Sequence, residues 1–87
     1  MDDRFSVEVK VISQKGTCVR GHKVDDCWVI SSKTPEGICL AAFNVVFPDL
    51  RVLSFGGELP WVKDKDTSIV ACPDAENPVV FRLKRLR

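Results

Sequence analysis

Phe5-Ser6-Val7-Glu8-Val9-Lys10-Val11-Ile12 is the stretch that decides the fold class. Phe5, Val7, Val9 and Val11 alternate with Ser6, Glu8 and Lys10, the period of two expected of a strand with one buried and one wet face. Such a strand needs pairing partners and a core to cover its apolar side. The other end of the chain offers a partner, because from Pro78 to Leu86 the residues Val79, Phe81 and Leu83 alternate with Val80, Arg82 and Lys84. Two shorter runs of strand formers lie between them. Cys27-Trp28-Val29-Ile30 follows an Asp25-Asp26 turn, and Thr67 to Cys72 runs into a turn at Pro73-Asp74.

One helix is expected to cover this sheet. Thr34-Pro35-Glu36 supplies an N-cap, a proline at the first helical position and an acid at the positive end of the helix dipole. Ile38, Cys39, Ala42, Phe43, Val45 and Val46 then share one broad face, and Pro48 disfavours helical geometry at Phe47, so the predicted helix runs from Pro35 to Phe47. Leu50 to Phe55 is ambiguous: Leu50 and Leu53 suit a helical turn, while Val52 and the closing Gly56-Gly57 suit a strand end. The expected fold class is α+β, a small, mostly antiparallel sheet packed on one main helix, as a single domain over residues 1–87. A small, partly closed β-barrel with a helix is the alternative.

With 87 residues, 45% hydrophobic and 29% charged, the chain buries only about 60% of its unfolded surface. That excludes large enzymes and leaves little room for an enclosed substrate pocket. Thirteen Lys and Arg against twelve Asp and Glu give a formal charge of +1, too little for a general field on nucleic acid or acidic membrane. Arg82, Lys84, Arg85 and Arg87 do cluster at the end, but without interleaved aromatics they read as a solvated basic strand edge, and nucleic acid is not the expected partner. No stretch approaches the ~18–20 apolar residues of a membrane span, and the start Met1-Asp2-Asp3-Arg4 is unlike a secretory signal. A cytoplasmic location and no membrane partner are expected, with the four cysteines as thiols, metal ligands or redox groups rather than two disulfides.

Cys18, His22, Cys39 and Cys72 form the sharpest chemical set, a Cys3His combination whose thiolates and imidazole suit zinc or iron. Their spacing lacks the close CxxC pairs of zinc ribbons, so folding would have to assemble the site. The competing reading buries Cys39 on a helix face, Cys72 in a strand and Cys27 beside Trp28 as small hydrophobes. A further reading makes Cys18 a redox thiol or nucleophile activated by His22, with Asp25 or Asp26 orienting the imidazole. Separately, Phe55-Gly56-Gly57-Glu58-Leu59-Pro60-Trp61 offers a binding platform in Gly56, Gly57, Pro60 and Trp61, against the alternative that Trp61 folds back to seal the core.

Lys15-Gly-Thr-Cys18, Gly21-His-Lys-Val24, Pro35-Glu-Gly-Ile-Cys39, Phe55-Gly-Gly-Glu-Leu-Pro-Trp61, Cys72-Pro-Asp74 and Asn77-Pro-Val-Val-Phe81, in that order, resemble a family of short, uncharacterised prokaryotic proteins of about this length. The resemblance spans Val9 to Arg85 and brings no activity with it. It includes the positions of Cys18, His22, Cys39 and Cys72; the chain departs from it in having Asp25 where the family has Gly, and in Cys27. Taken together, the sequence reads as a binding or accessory module rather than an enzyme, with a metal protein and a thiol protein as alternatives.

Overall fold

The computed structural model describes residues 5–17 and 21–87. Four strands, β1 (Val7–Gln14), β2 (Cys27–Ile30), β3 (Thr67–Ala71) and β4 (Val79–Arg85), and one helix, α1 (Leu40–Ser54), are arranged β1-β2-α1-β3-β4 along the chain. All strand pairs are antiparallel in the order β2-β1-β4-β3, so the sequence-terminal strands form the centre and the short ones the edges. The sheet does not close, which discards the barrel and establishes the α+β arrangement. No helix among the described residues is long and apolar enough to cross a membrane.

The alternation read in the sequence places the core. Val7, Val9 and Val11 of β1 and Val79, Phe81 and Leu83 of β4 are buried, and they meet Ala42, Val46, Leu50 and Leu53 of α1, with Ile30 closing one side. The helical residues recur at intervals of four, four and three, the stripe that a 3.6-residue period requires. Across the β1–β4 ladder the register runs from Val7↔Arg85 to Val11↔Phe81, after which Ser13 pairs with Val80. Ile12 is the extra residue of that bulge and is partly exposed.

The helix is not where the sequence placed it. Instead of Pro35 to Phe47 it covers Leu40 to Ser54, with Pro48 inside. Gly37 takes φ +92°, which a continuing helix cannot accommodate, and Thr34-Pro35-Glu36 therefore lies in a loop whose Glu36 carbonyl accepts the Trp28 indole N–H at 3.0 Å. At the other end, Pro48 removes a backbone donor, at a cost of about 3 kcal/mol in a helix interior. Pro48 and Asn44, whose carbonyl loses its partner, both lie on the exposed face of the helix, where a carbonyl can turn to solvent. Carrying the helix onward buries Leu50 and Leu53, together about 3–6 kcal/mol, so continuation wins.

The basic terminal strand is likewise not an edge. β4 lies between β1 and β3, and Arg85 is buried within the molecule.

Candidate functional site

Each sequence-selected residue has a definite place, except Cys18, which lies outside the described residues. His22 is buried, its ring edge-on to Trp28 at 5.4 Å and to Phe81 at 6.1 Å between centroids. Its Nε2 accepts the backbone N–H of Cys39 at 3.0 Å, so this nitrogen carries no proton and its lone pair is engaged. His22 and Cys39 are thus neighbours across the start of α1. Cys72 is half-buried beyond the end of β3, where its sulfur accepts the Val79 N–H at 3.2 Å. Both Cys39 and Cys72 pack half-buried against the core cluster, although Cys39 precedes α1 instead of lying on its face, Cys72 follows β3 instead of lying within it, and Cys27 is exposed. Among the described residues, no three His, Cys, Asp or Glu side chains are placed to hold one metal ion.

Cys27 occupies the opposite sheet face, cross-strand from Lys10. What burial its thiol has, followed by the charge of Glu8 and a hydrogen bond to it, pushes the thiol up from its ordinary value despite opposing attraction from Lys10 and Arg82. It is therefore held as the thiol rather than the reactive thiolate.

The Gly56 to Trp61 segment divides into two jobs. Gly56 (φ +81°) and Gly57 end the helix: the Gly57 N–H bonds the Val52 carbonyl at 2.8 Å and the Gly56 N–H bonds that of Leu53 at 3.2 Å. These are the two bonds of a Schellman cap, for which a left-handed glycine is the favoured residue. A side chain on Gly57 would come within 2.9 Å of Val52 Cγ1. The diglycine is thus neither a strand end nor a loose hinge; it turns the chain towards β3. Leu59 is itself buried, at 7% exposure, while Trp61 is 70% exposed. The expectation that Trp61 folds back over the core is corrected, because its side chain stands in solvent and the exposed Pro60 separates it from the buried Leu59.

Trp61 instead forms a wall of a groove of about 390 Å³ with Val62, Lys63, Asp64, Thr67, Ser68 and Ile69. The groove is lined by the first three residues of β3, an edge strand of the sheet. Its turn is fixed by Asp64, whose carboxylate accepts the Asp66 N–H at 3.0 Å and the Thr67 hydroxyl at 3.1 Å. Ser68 is buried and donates to the Asp49 carboxylate at 2.5 Å, tying β3 to α1. This pair has no histidine in contact with it among the described residues, so it is a brace and not a nucleophile relay.

The hydrogen-bond phase of β3 determines what its outer edge presents. Arg85 N–H bonds the Asp66 carbonyl at 2.7 Å, and Cys72 N–H bonds the Val79 carbonyl at 2.9 Å. Alternation along an antiparallel ladder then makes Ser68↔Leu83 and Val70↔Phe81 the hydrogen-bonded pairs and aims the backbone N–H and C=O groups of Ile69 and Ala71 away from β4. Thr67-Ser68-Ile69-Val70-Ala71 carries no charge and no proline, the usual means of blunting an edge. This edge was not singled out from the sequence, although the absence of both devices was visible there.

Compared with protein-family models, curated proteins and solved structures, the chain matches none.

Proposed function

We propose that the protein is an interaction module that captures an extended peptide segment by strand addition to β3, with Trp61 as the aromatic anchor. The observation that carries this reading is the juxtaposition of a groove of about 390 Å³, walled by a 70% exposed tryptophan, with a strand edge whose outward groups belong to Ile69 and Ala71. Peptide addition to a sheet edge takes affinity from main-chain hydrogen bonds and specificity from pockets for alternate side chains. A strand laid about 4.8 Å beyond β3 would satisfy the outward backbone groups and set alternate side chains against Trp61. Tryptophan is a frequent energetic centre of interfaces because it buries a large rigid surface at small entropic cost. Lys63 and Asp64 at the groove rim supply one charge of each sign for orienting the segment.

The test is selection from a displayed library of extended decapeptides, followed by amide chemical-shift mapping with the selected peptide. Binding is expected to shift the Ile69 and Ala71 amides and to weaken about 30-fold or more in Trp61→Ala, the loss of an interface hot spot worth about 2 kcal/mol. Ile69→Pro removes only the outward donor, since that N–H does not serve β4, and should also abolish binding while the fold persists. Failure to enrich any peptide, or peptides that bind both variants as tightly as the parent, would overturn the proposal.

A further inference from the structure

On the far side of α1 from β3, a second cavity of about 100 Å³ lies between the helix and the Ser31 to Thr34 loop that follows β2. From this cavity we infer a binding site for a small organic anion bearing an apolar or aromatic body, held by Arg51 and Lys33. It rests on other residues than the β3 groove and stands or falls separately.

Arg51 is placed by two rings. Its guanidinium carbon lies 4.8 Å from the Phe55 ring centre and 5.8 Å from that of Phe47. Stacking of this kind fixes the plane of the guanidinium while leaving its N–H groups available for hydrogen bonding. Among the described residues, Arg51 is the arginine with no carboxylate within ion-pair distance, since Arg82, Arg85 and Arg87 all have one, and Lys33, like most of the surface lysines, has none either. The lining of the cavity contains both cations and no acidic residue. Two cations without counter-charge on the wall of one small cavity favour an anion there.

The rest of the lining defines the ligand further. Ser32 and Thr34 contribute hydroxyls on the loop side, able to donate to an oxyanion. The remaining wall is apolar, with Ile30 and Leu50 in its depth and Phe43 beside Phe47, whose ring centres are 5.9 Å apart. A cavity of this volume has room for several waters, the scale of a carboxylate or phosphate head. Phe47 and Phe55, 46% and 56% exposed, extend the apolar surface outward for the body of the ligand. A fully hydrated inorganic ion would use the cations and hydroxyls but gain nothing from these rings.

The experiment is an amide-resolved NMR titration of the whole chain with phenyl phosphate, benzoate and inorganic phosphate as separate probes. Expected is saturable binding of phenyl phosphate or benzoate with Kd of about 1 mM or tighter, shifts confined to Ser31–Thr34 and Arg51–Phe55, and inorganic phosphate at least fivefold weaker. Arg51→Met and Lys33→Met should each weaken the organic probes by fivefold or more; Lys33 sits on an exposed loop, so its variant retains the fold. Absence of saturation by either organic probe, or binding unchanged in Lys33→Met and in folded Arg51→Met, would overturn the site. Inorganic phosphate binding as tightly as phenyl phosphate would overturn the assignment of an apolar body.

Discussion

Arg85 Nε donates to the Asp66 carboxylate at 3.0 Å from a side chain that is completely withdrawn from solvent. The same guanidinium bonds the Gly57 carbonyl at 3.0 Å and the Lys65 carbonyl at 2.5 Å, so one residue of β4 anchors both ends of the loop that carries Trp61. Arg87 reaches the same Asp66 oxygen at 2.9 Å from the surface, and the Phe5 ring lies beneath both guanidinium groups at 5.7 and 5.2 Å.

Arg85→Met keeps the apolar stem but leaves two loop carbonyls without their donor. The abandoned carbonyl of half-buried Gly57 costs about 1–3 kcal/mol while that of exposed Lys65 can turn to water, and a loss of about 1–3 kcal/mol in urea unfolding is expected, since Asp66 retains Arg87. Arg85→Lys should recover less than half of it, because a single ammonium cannot span three acceptors held in a planar fork. A loss under about 0.5 kcal/mol for Arg85→Met would show that the loop is held by other contacts.

Asp66 gives the molecule an acid dependence. Its carboxyl is held below the usual range, chiefly by the hydrogen bond from Arg87, with the charges of Arg87 and Arg85 adding to it against the opposing effect of burial. A group whose folded value is depressed contributes stability above its unfolded value of about 3.9, and that contribution is lost as pH falls through the folded value. Asp74 acts in the same direction, held low by the backbone N–H groups of Asn77 and Glu76. Asp66→Asn should therefore lower stability at neutral pH and flatten its decline below about pH 4, measured by urea unfolding at a series of pH values. A decline as steep as the parent's would remove Asp66 from the account.

Pro48→Ala tests the course of α1. Restoring the donor to the Asn44 carbonyl within an intact helix should stabilise the protein by about 1–3 kcal/mol, seen as a higher urea midpoint with an unchanged slope. Were the helix to end at Phe47, the substitution would have no donor to restore and the midpoint would stay where it is.

Leu59→Ala and Trp61→Ala should separate sharply despite their proximity. Leu59 is buried, and its truncation is expected to cost about 2–5 kcal/mol. The exposed Trp61 should cost no more than about 0.5 kcal/mol. Equal losses in thermal or urea unfolding would return Trp61 to the core.

The strands and their buried faces were legible because a period of two is a local signal: Val7, Val9, Val11, Phe81 and Leu83 announce their side of the sheet without reference to anything distant. The helix was legible in kind and displaced in position. Thr34, Pro35 and Glu36 are sound start signals, but the bond between Trp28 and the Glu36 carbonyl and the backbone of Gly37 belong to tertiary structure. Arg85 looked like one of four solvated cations because its acceptors, Gly57, Lys65 and Asp66, lie 19 to 28 residues away. For the candidate site, Trp61 was visible as a large aromatic in a turn-rich segment, but the outward backbone of Ile69 and Ala71 follows from the β3–β4 register, which composition does not specify. Gly56 and Gly57 were read as part of a binding platform, and their hydrogen bonds stop a helix.

The sheet order places β1 directly against β4, with Glu8 opposite Lys84. During synthesis, β1 emerges first and can recruit only the four-residue β2, a hairpin too small to persist in water. Its other edge, with the apolar row of Val7, Val9 and Val11, waits until β4 has been translated. Until β4 has been translated the nascent chain thus carries β1 with one edge open, and folding is committed by one late, long-range closure rather than by successive local steps.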